Sequence, residues 1–124
     1  MKEIYIQGAE KPAGHYAPAV ASQGLLHISG QLPVDPFTGA QCHGSAAEQT
    51  ARVLENVALI LQSAGSSLDR VVKVCIYVAD IGLWDEVNAV YAGFFGACRP
   101  ARVVVPTGAL HHGFLVEIAA EAEL

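Results

Sequence analysis

The sequence predicts an α+β domain: a single sheet with two helices packed on one face. Three observations lead there. The order of periodic segments is β-β-β-α-β-α-β-β. Both helical segments are amphipathic, so each needs one face of a sheet. And 52% of the 124 residues are hydrophobic while only 15% are charged. So short a chain hides that much apolar surface poorly by itself. The face of the sheet opposite the helices is therefore expected to be covered by a neighbouring subunit, in a homo-oligomer.

The elements follow in order. Glu3 to Ile6 reads as a short strand, and Ala19–Ala21 and Leu25–Ser29 as two more joined by a turn at Gln23-Gly24. Pro and Gly punctuate Gln31 to Gly44, which reads as a long loop. Ser45 with Glu48 three residues on makes a capping box. Val53, Val57, Ile60 and Leu61 then recur at helical spacing, and Gly65 is the expected C-cap. Val71 to Val78, VVKVCIYV, is rich in β-branched residues and reads as a buried strand. Asp80 is placed to cap a second helix whose buried stripe is Trp84, Val87, Tyr91 and Phe94. Arg102–Val105 and Leu115–Ala120 read as the last two strands.

Composition excludes several functions. The net charge is −5 with no basic run, which disfavours nucleic-acid binding through phosphate neutralisation. No apolar stretch approaches the roughly 20 residues of a membrane span. The opening MKEIYIQGAEKPAG lacks the apolar core of a signal peptide, so the cytoplasm is expected. Cys42, Cys75 and Cys98 form neither a CxxC nor a disulfide framework, which fits a reducing compartment.

The polar residues near apolar segments are His15, Tyr16, Ser29, Asn88, Arg102, His111, His112 and Glu117. Arg102 opens a strand of three valines, where it is either a bidentate clamp for a carboxylate or half of a surface ion pair. Glu117 lies inside an apolar strand. It is either a general base with a raised pKa or an outward-facing residue of an alternating strand. His111-His112 lies between Gly108 and Gly113 and reads as a solvated turn, and no metal-ligand spacing is present. His15, His27 and His43 are too scattered to make a site. No phosphate-binding glycine loop or nucleophile elbow occurs, and Cys98 has no His or Asp beside it.

Five segments in order resemble the reactive-intermediate deaminase (Rid/YjgF) family: SGQLPVDPFTG (29–39), QTARVLENVALILQSAGSSLDRVVK (49–73), WDEVNAVYAGFF (84–95), RPAR (99–102) and VEI (116–118). The resemblance implies a chorismate-mutase-like sheet assembled as a homotrimer with sites in clefts between subunits. It implies hydrolysis of enamines and imines such as 2-aminoacrylate to 2-keto acids and ammonia, with a small imino or keto acid as ligand and no cofactor or metal. Carried over residue by residue, the carboxylate-binding arginine falls on Arg102 and the water-orienting glutamate on Glu117. Tyr16, Ser29 and Asn88 fall on substrate-binding positions. Val104 replaces a cysteine whose backbone groups mostly serve the ligand. This chain departs from the family at His15, at Pro106, which should end its strand early for want of an N–H, and at His111-His112. These departures leave open a pathway-specific deaminase of a larger imine, or a non-catalytic trimer that binds small carboxylates.

Overall fold

The computed structural model describes residues 1–124. Six strands form one mixed sheet in the order β1-β2-β3-β6-β4-β5: β1 is Lys2–Ile4, β2 Ala19–Ser22, β3 Leu25–Gln31, β4 Val71–Val78, β5 Ala101–Pro106 and β6 Val116–Glu123. Two helices, α1 (Ala46–Ser63) and α2 (Trp84–Phe95), cover one face, with α1 over β3 and β6 and against α2. The predicted α+β class is the one observed.

Local chemistry accounts for the boundaries. Gln23 and Gly24 both take positive φ, 52° and 79°, the conformation a two-residue hairpin turn demands. β1 stops at Ile4, two residues before the expected end at Ile6. Its partner β2 begins at Ala19, opposite Ile4, and the Pro18 carbonyl before it turns to β3, where it accepts from the Ser29 amide at 2.9 Å. Ile6 is nevertheless buried. The capping box of α1 forms: the Glu48 amide donates to Ser45 Oγ at 3.1 Å while the Ser45 amide reaches Glu48 Oε1 at 3.4 Å. At its other end Ala64 is the C-cap. Gly65, at φ +75°, lets the amide of Ser66 reach Leu61 O and its own reach Gln62 O, a Schellman closure.

The core lies between helices and sheet. Val53, Val57, Ile60 and Leu61 of α1 are at most 1% exposed and meet Val74, Ile76 and Val78 of β4 and Val116, Ile118 and Ala120 of β6. β4 and β6 therefore bury one face only, and alternation turns Cys75, Tyr77, Glu117, Ala119 and Glu121 to the other. On α2 the buried residues are Val87, Tyr91 and Phe95. This corrects the expected stripe at both ends, since Phe94 is only half-buried and Trp84 remains 37% exposed. Asp80 caps a short 3-10 turn, Ile81–Leu83, which runs directly into α2, rather than α2 itself.

Pro106 does not cut its strand short. β5 runs through Pro106, paired in parallel with Val78, and the Thr107 amide donates to Val78 O at 2.9 Å. By alternation Val103 and Val105 also turn their amides toward β4. Arg102, Val104 and Pro106 turn theirs to the free edge, where a missing N–H breaks no ladder bond.

Candidate active site

Arg102 stands on β5 beside Val74, so its side chain rises on the helix face of the sheet. There α2 receives it. Arg102 Nη1 donates to Asn88 Oδ1 at 2.9 Å, and the guanidinium carbon lies 4.7 Å from the Tyr91 ring centroid and 5.5 Å from that of Trp84. The two ion pairs of the structure are His27–Glu121 and Arg52–Glu55, so Arg102 is not the surface ion pair that spacing alone allowed. Its positive charge is held entirely by neutral groups. Val104, two residues on, packs its side chain on the core while its backbone polar groups face the open edge.

Glu117 sits on the opposite face. It pairs with Tyr77 on β4 and is flanked along β6 by Val116 and Ile118, both fully buried in the core. Burial pushes its carboxyl above the ordinary carboxylate range, and the charge of His111 pulls the other way. Gly30 makes room for it. A β-carbon at Gly30 would overlap Glu117 Oε1 and stand 3.1 Å from Cδ. A bulge in β3 between Ile28 and Gln31 brings Gly30 to this point. The same bulge positions Ser29, whose hydroxyl is spent on Ala17 O at 2.7 Å and whose carbonyl accepts from Gln31 Nε2 at 3.0 Å.

Tyr16 is 53% exposed in the turn before β2, its ring folded so closely over Gly14 that a β-carbon there would meet it at 2.7 Å. It lines a broad hollow with Glu3, Tyr5, Lys11 and His15 that contains neither Arg102 nor Glu117. The sequence-predicted residues thus fall into separate groups in one chain: Arg102 with Asn88 on the helix face, Glu117 on the open face, Ser29 on the β3 bulge bonded to Ala17 O, and Tyr16 at a rim.

Several neighbours of these groups were not singled out from sequence. The helical period places Trp84 and Tyr91 in the core stripe, yet Trp84, Asn88 and Tyr91 also share one face of α2 at i, i+4 and i+7, a spacing legible in the sequence. Gly30 was visible only as the middle of SGQ. His43 is less isolated than its position suggests: it stacks on buried Phe114 at 4.9 Å and 14°, and Phe114 also meets the His112 ring at 5.9 Å. His111 and His112 are exposed, as a solvated turn requires. They lie on a 3-10 turn with rings 3.8 Å apart, side by side. No group of three His, Cys, Asp or Glu side chains is arranged to hold a metal ion, and no helix is long and apolar enough to cross a membrane.

Residues 7–124 match the endoribonuclease L-PSP family. A RutC family protein of Pyrococcus horikoshii is 44% identical over 123 residues, spanning 98% of both chains. Among solved structures, RidA of the Antarctic bacterium Psychrobacter sp. PAMC 21119 superposes with a TM-score of 0.92 at 32% identity, covering 100% of both chains. TdcF of E. coli, crystallised with bound serine, gives a TM-score of 0.92 at 31% identity over 100% of this chain and 99% of that one.

Proposed function

The chain belongs to the endoribonuclease L-PSP family, with RutC and RidA/YjgF proteins as its relatives, and from that premise we propose that it is an enamine/imine deaminase. It releases ammonia and a 2-keto acid from small 2-imino acids, at sites formed between the subunits of a homotrimer. The observation that carries this reading is Arg102: a half-buried cation fixed in place by Asn88 and two aromatic rings, with no carboxylate of its own chain in contact. Such a guanidinium offers its remaining N–H groups to a ligand carboxylate through charge-assisted bonds. The bound serine of TdcF, also an α-carboxylate, supports the same ligand class.

The division of the site supports the intersubunit location. Arg102 and Glu117 lie on opposite faces of one sheet, so one chain does not bring them to one substrate. Val103 and Val105 leave apolar surface on the face that carries Glu117. A neighbour docked on that face supplies the missing half.

In the reaction, Arg102 orients the imine through its carboxylate. A water held by Glu117 adds to the C=N carbon, and its proton passes to the carboxylate. Starting from the protonated imine, the carbinolamine nitrogen takes up that proton; as the C–N bond breaks, the hydroxyl proton passes to Glu117 and on to solvent, so that ammonia leaves and the carbonyl forms. A carboxyl raised by burial is a stronger base than an exposed one and suits that exchange.

The test uses two variants. Arg102→Ala and Glu117→Gln should each reduce the hydrolysis of 2-aminoacrylate, generated by a dehydratase, to the spontaneous rate. Unfolded and refolded together in equal amounts, they should regain activity, because about a quarter of the sites would join an intact Arg102 to an intact Glu117 from a neighbour. A wild type no faster than background on several imino acids would reject the deaminase. Loss of activity in each variant with none regained in the refolded mixture would reject the shared site.

The exposed rings of His43, His111 and His112, packed around buried Phe114, favour a second reading, a deaminase of larger imines, because they offer ring surface at the turn whose charge acts on Glu117. A panel of imino acids of increasing side-chain size separates the two.

A further inference from the structure

We infer that Trp84 and Tyr91 are positioning residues for Arg102: each sets an aromatic face against the guanidinium, and neither takes up the N–H groups that a carboxylate would bind. The inference rests on the reading of Arg102 as the carboxylate clamp and names what holds it ready.

An arginine side chain has several rotatable bonds, and their freedom is lost when it closes on a ligand. An enzyme that fixes it beforehand avoids that loss. The common way to fix an arginine is an acidic partner, but a carboxylate would occupy the same N–H fork and cancel the charge that the ligand needs. None of the acidic residues of this chain makes that contact. Instead, α2 presents Trp84, Asn88 and Tyr91 along one face. Asn88 accepts one N–H at 2.9 Å, and the rings lie 5.5 Å and 4.7 Å from the guanidinium carbon. A guanidinium is planar and weakly hydrated, so it gains from aromatic faces without losing charge.

The two rings are anchored differently. Tyr91 is buried and packs on Phe95 at 4.6 Å, which in turn meets Phe94 edge-on at 5.4 Å. Its hydroxyl is buried without a hydrogen-bond partner, so the ring face is what this position presents. Trp84 is 37% exposed at the first turn of α2, where an indole directed only at the core would be covered. Its exposure is explained by its position over Arg102 at the edge of the helix layer.

Trp84 is the chain's single tryptophan, which gives a readout independent of turnover. In the full-length protein, Arg102→Ala should change the emission of Trp84 and Arg102→Lys should change it less. In steady-state hydrolysis of 2-aminoacrylate, Trp84→Ala and Tyr91→Leu should each raise KM by about five-fold, the effect of one cation–π contact, with kcat largely kept. Trp84→Phe and Tyr91→Phe should restore KM, because each returns a ring face. An emission spectrum that ignores Arg102→Ala would overturn the inference. So would an unchanged KM in both truncations, or a raised KM that phenylalanine does not rescue. A wild type without turnover would remove the deaminase reading and leave the emission test of the stack standing. Turnover with an unchanged KM would remove this inference alone.

Discussion

Adding one methyl group at Gly30 separates stability from catalysis. The glycine does not occupy the left-handed region, so alanine can take its backbone conformation. What alanine cannot do is share space with Glu117: the new carbon would overlap Oε1, with Cδ at 3.1 Å and Cγ at 3.4 Å. The clash falls on the far end of a side chain rather than on backbone, so the carboxylate swings aside by an ångström or so at the cost of an unfavourable rotamer, about 1 kcal/mol. Loss of glycine's freedom in the unfolded chain offsets this by about 0.4–1 kcal/mol. Net stability should stay within about 1 kcal/mol of wild type, a Tm shift of about 4 °C for a domain of this size. Activity should not be spared, since misplacing a water-holding group by about 1 Å costs on the order of 100-fold. The assay pairs thermal unfolding with kcat/KM on 2-aminoacrylate. Full activity at an unchanged Tm would show that Glu117 is not the group that holds the water. A Tm lowered by more than about 10 °C would show that the backbone, not the carboxylate, absorbs the clash.

Three further outcomes are expected. Asn56 donates to Leu32 O at 3.2 Å and Val34 O at 2.8 Å and is almost fully buried, so Asn56→Ala should lower stability by about 1–3 kcal/mol and open the loop between β3 and α1, as urea midpoints and limited proteolysis can test. Phe114, 1% exposed beneath His43 and His112, should cost about 3–5 kcal/mol when cut to alanine, and a loss under 1 kcal/mol in chemical denaturation would show that the site collapses freely. Because burial raises the Glu117 carboxyl, the folded chain holds that proton more tightly than the unfolded chain. Its contribution to stability should therefore fall as pH rises from the ordinary carboxylate value through the raised one, while the rate, which needs the ionised form, climbs over the same interval. Glu117→Gln should flatten the stability trend in unfolding midpoints measured against pH, and the climb in rate is read from wild-type kcat/KM against pH.

Local physics carried most of the fold into the sequence. The capping box at Ser45, the Schellman glycine at Gly65, the Gln23-Gly24 turn and the 3.6-residue period of α1 each depend on residues within a few positions of one another, and each appears as expected. The readings that needed correction depended on partners far along the chain. β1 ends at Ile4, opposite the first residue of β2, and β5 tolerates Pro106 because it is an edge strand, a fact of sheet order. Trp84 and Phe94 satisfy the helical period as well as Phe95 does, and only the direction of the sheet decides which ring is buried.

The same division holds for the site. The segments around Arg102 and Glu117 marked them as a pair from sequence, because motif and order are written in one dimension. Their placement on opposite faces of the sheet is not, since it follows from the register that sets Arg102 beside Val74 and Glu117 beside Tyr77, three residues and therefore one face apart on β4. Tertiary structure alone decided that Arg102 is held by Asn88, Trp84 and Tyr91 instead of an acid, and that Gly30 leaves the space Glu117 fills. Both arise where residues 11 to 87 positions apart in the chain meet, and such contacts are fixed by packing rather than by any local preference.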